Sequence, residues 1–300
     1  MSKSIGKGAP ATRHGVGRAR AAKRGATRAF LVALASVAIL VCALFDASPA
    51  FAHEFWIEPL DYAIQPGERL VAEVRVGENF RGNAFSFNPA RHRRFSIITG
   101  QGEEPVTSRI GDRPAVDQVI EEPGTTIVVH ETEDSTLTYD SAETFANFVA
   151  YEGLDGVLER HRERGLPETG FTEIYSRSVK SLVRVGDGPI EDRALGLAVE
   201  IVVEGDPREA AANGDTLTVI ACDDAAPRAG ALVNVFSKPS GKNGETRLQP
   251  MRLDAEGRLQ LSVEPDRDYL LNTVVMRERA PETGAVWESL WGSTTFSTAQ

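Results

Sequence analysis

The sequence predicts a mainly β chain built as two sandwich-like β domains with a short helical insert between them. Three observations predict it. Residues 196–297 break into seven short apolar runs separated by turn signals, the spacing of a sandwich. Residues 70–77 alternate apolar and polar side chains, and residues 125–130 are rich in β-branched side chains, as strands require. Between 141 and about 175 the period changes to a helical one.

In chain order, Ile57, Leu60 and Tyr62 lead to the turn signal Gln65-Pro66-Gly67. Leu70, Ala72, Val74 and Val76 then mark one face of a strand. Phe95 to Ile98 form the next strand, and Pro123-Gly124 turns the chain into Thr125–His130. Ser141 is an N-cap with Glu143 in the first helical turn. Phe145, Phe148, Val149, Leu154, Val157 and Leu158 follow at helical spacing, interrupted near Gly153 and ended by Gly165 and Pro167. Phe171, Ile174 and Tyr175 are expected to continue as a short helix, and 177–185 to be a strand. The first domain therefore spans 53–185, and the polar segment 186–194 connects it to the second at 195–300.

The second domain's strands are expected at 196–203, 215–222, 231–237, 246–253, 258–263, 268–277 and 286–297. The turn Leu253-Asp254-Ala255-Glu256-Gly257-Arg258, followed by alternating Leu259, Leu261 and Val263, resembles an Ig-like, transthyretin-like or carboxypeptidase-regulatory-like module. That resemblance implies a structural or ligand-presenting role.

Charge divides the chain. Net charge is −10, yet the first 52 residues carry eight Lys or Arg and one acid, Asp46. The acidic body argues against a nucleic-acid groove, which needs clustered positive charge. The head has the layout of an export signal: a basic stretch to Arg28, an apolar run over 29–45, and Ala50-Phe51-Ala52 as a cleavage motif. Residues 1–52 are thus a signal peptide, and the mature chain starts at His53 in the periplasm. A signal left uncut would anchor the chain to the inner membrane instead. Cleavage also removes Cys42, leaving Cys222 without an intrachain disulfide partner.

An N-terminal His carries an α-amine and an imidazole on one residue, a nitrogen pair suited to Cu(II) or Ni(II). His53 is accordingly the first candidate ligand. His130, at the end of Val128-Val129-His130-Glu131, is the second imidazole, and with His53 it would supply three nitrogens. Glu78 and Glu131 are candidates for further ligation, beside Glu54 and Tyr139. His92 is flanked by Arg91, Arg93 and Arg94, whose charge opposes a cation. His161 lies in Glu159-Arg160-His161-Arg162-Glu163-Arg164, which has the pattern of a solvated helix face. Trp56, Trp287 and Trp291 are expected to fill core. Dinucleotide-binding, P-loop, HExxH, CxxC and GxSxG patterns are absent, which leaves the catalytic classes they mark without support.

Several ordered motifs carry a resemblance over about 53–298: His53-Glu54-Phe55-Trp56-Ile57-Glu58-Pro59, Val128-Val129-His130-Glu131-Thr132, Gly165-Leu166-Pro167-Glu168-Thr169-Gly170-Phe171, Tyr175-Ser176-Arg177, and Trp287-Glu288-Ser289-Leu290-Trp291. They resemble an exported family of unknown function that goes by the name of a periplasmic component of a cobalt/nickel transport system. The resemblance implies metal-related work in the periplasm; together with the exposed His53, the available His130 and the acidic surface it leads to the expectation of a non-catalytic protein that binds nickel, cobalt or copper and serves a membrane transporter for metal uptake. It carries over His53 and His130; some relatives have a His where this chain has Glu78. Two other readings compete: an envelope scaffold or protein-interaction module without metal, and a copper monooxygenase built on an N-terminal histidine brace.

Overall fold

A computed structural model describes residues 54–241 and 244–299. His53 and the whole expected signal segment lie outside the described residues. The first half supplies β1 (Glu54–Pro59), β2 (Ala63–Ile64), β3 (Glu68–Glu78), β4 (Arg81–Phe85), β5 (His92–Thr99), β6 (Gly102–Pro105), β7 (Val116–Ile120), β8 (Gly124–Thr132), β9 (Ser135–Tyr139), α1 (Ala142–Tyr151), α2 (Val157–Glu163) and β10 (Phe171–Val185). The second supplies β11 (Val199–Glu204), α3 (Pro207–Asn213), β12 (Thr216–Asp223), β13 (Ala226–Pro227), β14 (Leu232–Pro239), β15 (Arg247–Arg252), β16 (Arg258–Ser262), β17 (Arg267–Glu278) and β18 (Trp287–Ser297). Every strand expected in the second half is present, with ends shifted by a few residues.

The molecule is mainly β and sandwich-like, and a ten-stranded sheet runs through its middle in the order β15-β14-β17-β18-β10-β8-β5-β6, with β2 and β9 also paired to β10. On one face lies a sheet of β1, β3, β4 and β7; on the other lies a sheet of β11, β12, β13 and β16. Leu70, Ala72, Val74 and Val116 meet Val128, Val179 and Val183 across the first interface. Ile201, Val219 and Leu261 meet Leu182, Val235, Leu271 and Phe296 across the second. The helices α1 and α2 cover the remaining stretch of the first face, with Phe145, Phe148 and Val157 against Val274, Trp287 and Trp291.

Strands from both sides of the expected 186–194 connector therefore share one sheet. Parallel pairing of β10 with β18, from Glu173↔Trp287 to Ser181↔Thr295, joins the halves that the sequence separates. Such long-range pairing leaves no local signal, because each strand merely shows its own periodicity. The expected helix at 171–175 is also replaced. Those residues begin β10 and pair with β9, with Phe171 opposite Tyr139 and Tyr175 opposite Ser135.

β18 is the strand that both outer layers touch. It is buried on both faces, so its sequence is apolar and small rather than alternating in polarity. Its hydroxyls meet backbone carbonyls of both neighbouring layers. Ser293 Oγ and Thr295 Oγ1 donate to the carbonyls of Phe55 and Ile57 at 2.7 Å each. On the opposite face Thr294 Oγ1 donates to the Ile201 carbonyl, also at 2.7 Å. Glycine at 292 permits the third layer to approach: a Cβ there would lie 2.8 Å from Val199 Cγ1 and 2.9 Å from its carbonyl oxygen.

β1 bonds β3 along one edge, and its free edge sits on β18. It consequently stands edge-on upon the central sheet, and its two faces look sideways. Phe55 and Ile57 lean towards the β10–β8–β5 side. Trp56 leans the other way, onto Phe236 and Leu270 of β14 and β17, and Glu58 pairs there with Lys238.

The connector itself is clamped. Lys180 is 1% exposed on β10, and its Nζ lies 2.8 Å from Asp192 Oδ1, 3.0 Å from Glu200 Oε1 and 3.0 Å from the Arg193 carbonyl. Glu200 also accepts the backbone N–H groups of Leu195, Gly196 and Leu197. This lysine thus belongs to a buried ion triad. Lys180→Met would strand two buried carboxylates without their cation, and should cost on the order of 3–5 kcal/mol in urea unfolding. A loss below about 1 kcal/mol, the range of exposed pairs, would contradict this account.

Candidate functional site

Because β1 stands on edge, its first residues separate two buried polar environments. The first, on the Phe55 side, is an aromatic and imidazole cluster. His130 on β8 is 6% exposed and pairs across the ladder with Phe95, their rings 4.7 Å apart. Phe55 lies 5.4 Å from the same imidazole, and His92 also lies 5.4 Å from it, ring centre to ring centre. Phe87 and Phe95 flank His92.

A β-bulge produces the meeting of the two histidines. The register between β5 and β8 shifts between His92 and Arg94, so His92 comes opposite Thr132 while Phe95 remains opposite His130. Bulges re-aim side chains in this way, putting His92 on the face it would miss in a regular strand. Two of the three arginines around it turn to acids: Arg93 to Asp134 at 3.4 Å, and Arg94 to Glu103 at 2.8 Å and Glu131 at 3.5 Å. Their positive charge, which counted against His92 in the sequence, is compensated. Sequence reasoning missed this residue because neither the bulge nor the acid partners has a local signature.

Both imidazoles are poised as neutral bases. Burial, then the neighbouring His92, pushes His130 down to about 3. Burial also lowers His92, although the Asn88 carbonyl and Glu133 oppose it. His130 Nδ1 is buried and has no hydrogen-bond partner. A neutral imidazole with a ring nitrogen not engaged in a hydrogen bond is what a metal ion requires. Arg177 closes the cluster, its guanidinium 5.5 Å above the Phe55 ring and 4.6 Å above Tyr175.

The second environment, on the other side of β1, is acidic. Glu54 is 2% exposed and accepts a hydrogen bond from the Tyr151 hydroxyl at 2.9 Å. Burial, with a smaller contribution from Glu78 and against the Tyr151 hydrogen bond, raises Glu54 to about 7. Glu152, just beyond α1, is 3% exposed and accepts from the side-chain amides of Asn234 and Asn272.

The remaining candidates disperse. Glu131 points to the opposite face of β8 from His130, as adjacent strand residues do, and pairs with Arg94. Glu78 lies one position beyond the Glu54–Gly77 pair and acts electrostatically on Glu54. His53 is outside the described residues. Tyr139 donates to Glu173 inside the helical cluster, away from both environments. His161, expected on a solvated face, is buried instead: its Nδ1 accepts from Trp287 at 2.9 Å and its Nε2 meets the Pro167 carbonyl at 2.9 Å. The charged neighbours in its sequence stretch masked a structural imidazole. Trp56, Trp287 and Trp291 are core residues, as expected. Among the described residues, no three His, Cys, Asp or Glu side chains come together as a metal-holding group. Cys222 is a free thiol.

The chain belongs to the family described as domain of unknown function DUF4198, whose model matches residues 50–277. No curated protein matches it. Solved structures similar to it include a mutant alpha-2-macroglobulin of Salmonella, at 11% identity, TM-score 0.21, covering 84% of this chain and 15% of that one. A DUF4785 family protein from Legionella pneumophila matches at 11% identity and TM-score 0.20, covering 72% of this chain and 51% of the other. A tetra-tandem repeat of a large adhesion protein matches at 9% identity and TM-score 0.19, covering 82% and 50%. The chain thus spans about half or less of each of these proteins, and likenesses this distant carry no functional argument.

The imidazole cluster has a consequence for acid stability. His130 titrates near 3 when folded and near 6.5 when free, so between those values the unfolded chain binds more protons. Its contribution to stability is present above pH 6.5 and is lost as pH falls towards 3. His130→Phe, which keeps an aromatic ring among Phe55 and Phe95, should make the melting temperature fall less steeply than wild type between about pH 6.5 and 4. Equal slopes would contradict a buried neutral imidazole.

Proposed function

We propose that the protein is a non-catalytic, exported binding protein for a divalent transition metal ion, with His92 and His130 as imidazole ligands and His53 as the third contributor. The observation that carries this reading is the meeting of two imidazoles, 5.4 Å apart beside the start of β1, one of them with a buried, unpartnered nitrogen. Paired imidazoles suit nickel, copper or cobalt better than calcium or magnesium.

His53 enters this reading from the sequence alone, two positions before Phe55, whose ring lies 5.4 Å from that of His130. Cleavage after Ala52 would add the His53 α-amine to its imidazole, giving a nitrogen-rich site. On this reading the protein works in the periplasm and passes its ion to a membrane transporter for uptake.

Titration of the exported, untagged protein with nickel and copper by calorimetry tests the proposal. One ion should bind per chain, and His92→Ala, His130→Ala and His53→Ala should each weaken it at least tenfold, about 1.4 kcal/mol. Affinity unchanged in the first two variants would overturn the assignment and favour the scaffold reading.

A further inference from the structure

The acidic environment on the far side of β1 is a second site, independent of the imidazoles. Glu54 and Glu152 are 2% and 3% exposed; burial raises the proton affinity of both, and the charge on Glu54 adds to the rise at Glu152. Neither forms an ion pair among the described residues. A buried carboxyl is normally paired, protonated or bound to a metal ion.

The hydrogen bonds show which of each carboxyl's oxygens is committed. Tyr151 donates to Glu54 Oε1, at 2.9 Å. Asn234 and Asn272, direct partners across β14 and β17, both donate to Glu152 Oε2, at 3.4 and 3.3 Å. The other two oxygens, Glu54 Oε2 and Glu152 Oε1, are buried without any hydrogen-bond partner. A proton on either would need an acceptor that is not there.

The helix adds a third negative element. Glu152 is the C-cap of α1, a ten-residue helix with no basic residue in its last turn. The negative end of a helix dipole favours a cation and disfavours a carboxylate. Two unpartnered carboxyl oxygens, on residues coupled electrostatically and one of them at a helix C-terminus, thus lack any ion pair among the described residues, while Glu78 adds further negative potential at Glu54.

We infer that Glu54 and Glu152 hold a hard, oxygen-preferring divalent cation of the calcium type, which fastens the end of α1 to the start of β1. Carboxylate oxygens are the ligands such ions prefer, and the Tyr151 hydroxyl and the Asn234 and Asn272 amides hold the two carboxyls by their other oxygens. The site differs in chemistry from the paired imidazoles, and the two stand on opposite faces of one strand.

Calorimetry with calcium chloride on protein stripped with a chelator tests the inference, together with melting curves with and without calcium. One calcium ion should bind per chain and raise the melting temperature. Glu152→Gln and Glu54→Gln should each weaken binding at least tenfold and abolish the thermal shift. Both variants should melt close to chelated wild type, since burial favours the neutral carboxyl in the absence of a cation and Gln keeps its shape. His130→Ala should bind calcium as wild type does, and Glu152→Gln should keep its nickel or copper affinity, so the two sites fail or stand separately. Absence of binding by wild type to calcium, magnesium or manganese would overturn the inference, whether or not the variants fold. Calcium affinity unchanged in both Gln variants would overturn it equally.

Discussion

The structure depends on how β1 is seated. Its outer edge carries carbonyls that β3 leaves unpaired, and burying them unpaired would cost on the order of 1–3 kcal/mol each. Ser293 and Thr295 satisfy them from the floor of the central sheet, at 2.7 Å each. Hydroxyls on a strand normally face water or a neighbouring strand; here they bond a different layer. That arrangement fixes β1 on edge. It directs Phe55 towards the imidazoles and Glu54 towards Tyr151, so two polar environments of opposite chemistry flank one short strand.

β18 serves the other side of the molecule by the same means. Thr294 bonds β11, and glycine at 292 lets Val199 come within contact of the backbone. The Lys180 triad then fastens the 186–198 segment to β10 and β11. The polar groups of the central sheet therefore set the spacing of three layers, while apolar area drives their burial. A sandwich read as two domains is in fact held around one shared sheet, because its principal junction is the parallel β10–β18 pair.

Much of the architecture was legible in the sequence. The seven strands of the second half, the Ser141 cap and the break near Gly153 follow from local periodicity and turn chemistry. What was not legible depends on residues distant in the chain. The β10–β18 pairing joins positions more than a hundred residues apart, and the segment 171–175 becomes strand because β9 and β18 flank it. For the site, His130 was visible as a strand-end imidazole. His92 was hidden by a bulge and by arginines whose acid partners lie on other strands. Glu152 gave no sign at all, since a glutamate after a helix is ordinarily solvated. Its burial follows from how α1 docks against β14 and β17.

The central claim is that β1 divides two ion sites of different hardness. Anomalous diffraction from crystals grown with nickel tests it most directly, because it locates the ion without relying on a variant. The account predicts a nickel peak on the Phe55 side of β1, between the rings of His92 and His130. A peak on the Glu54 side instead, or an ordered ion remote from both histidines, would contradict it.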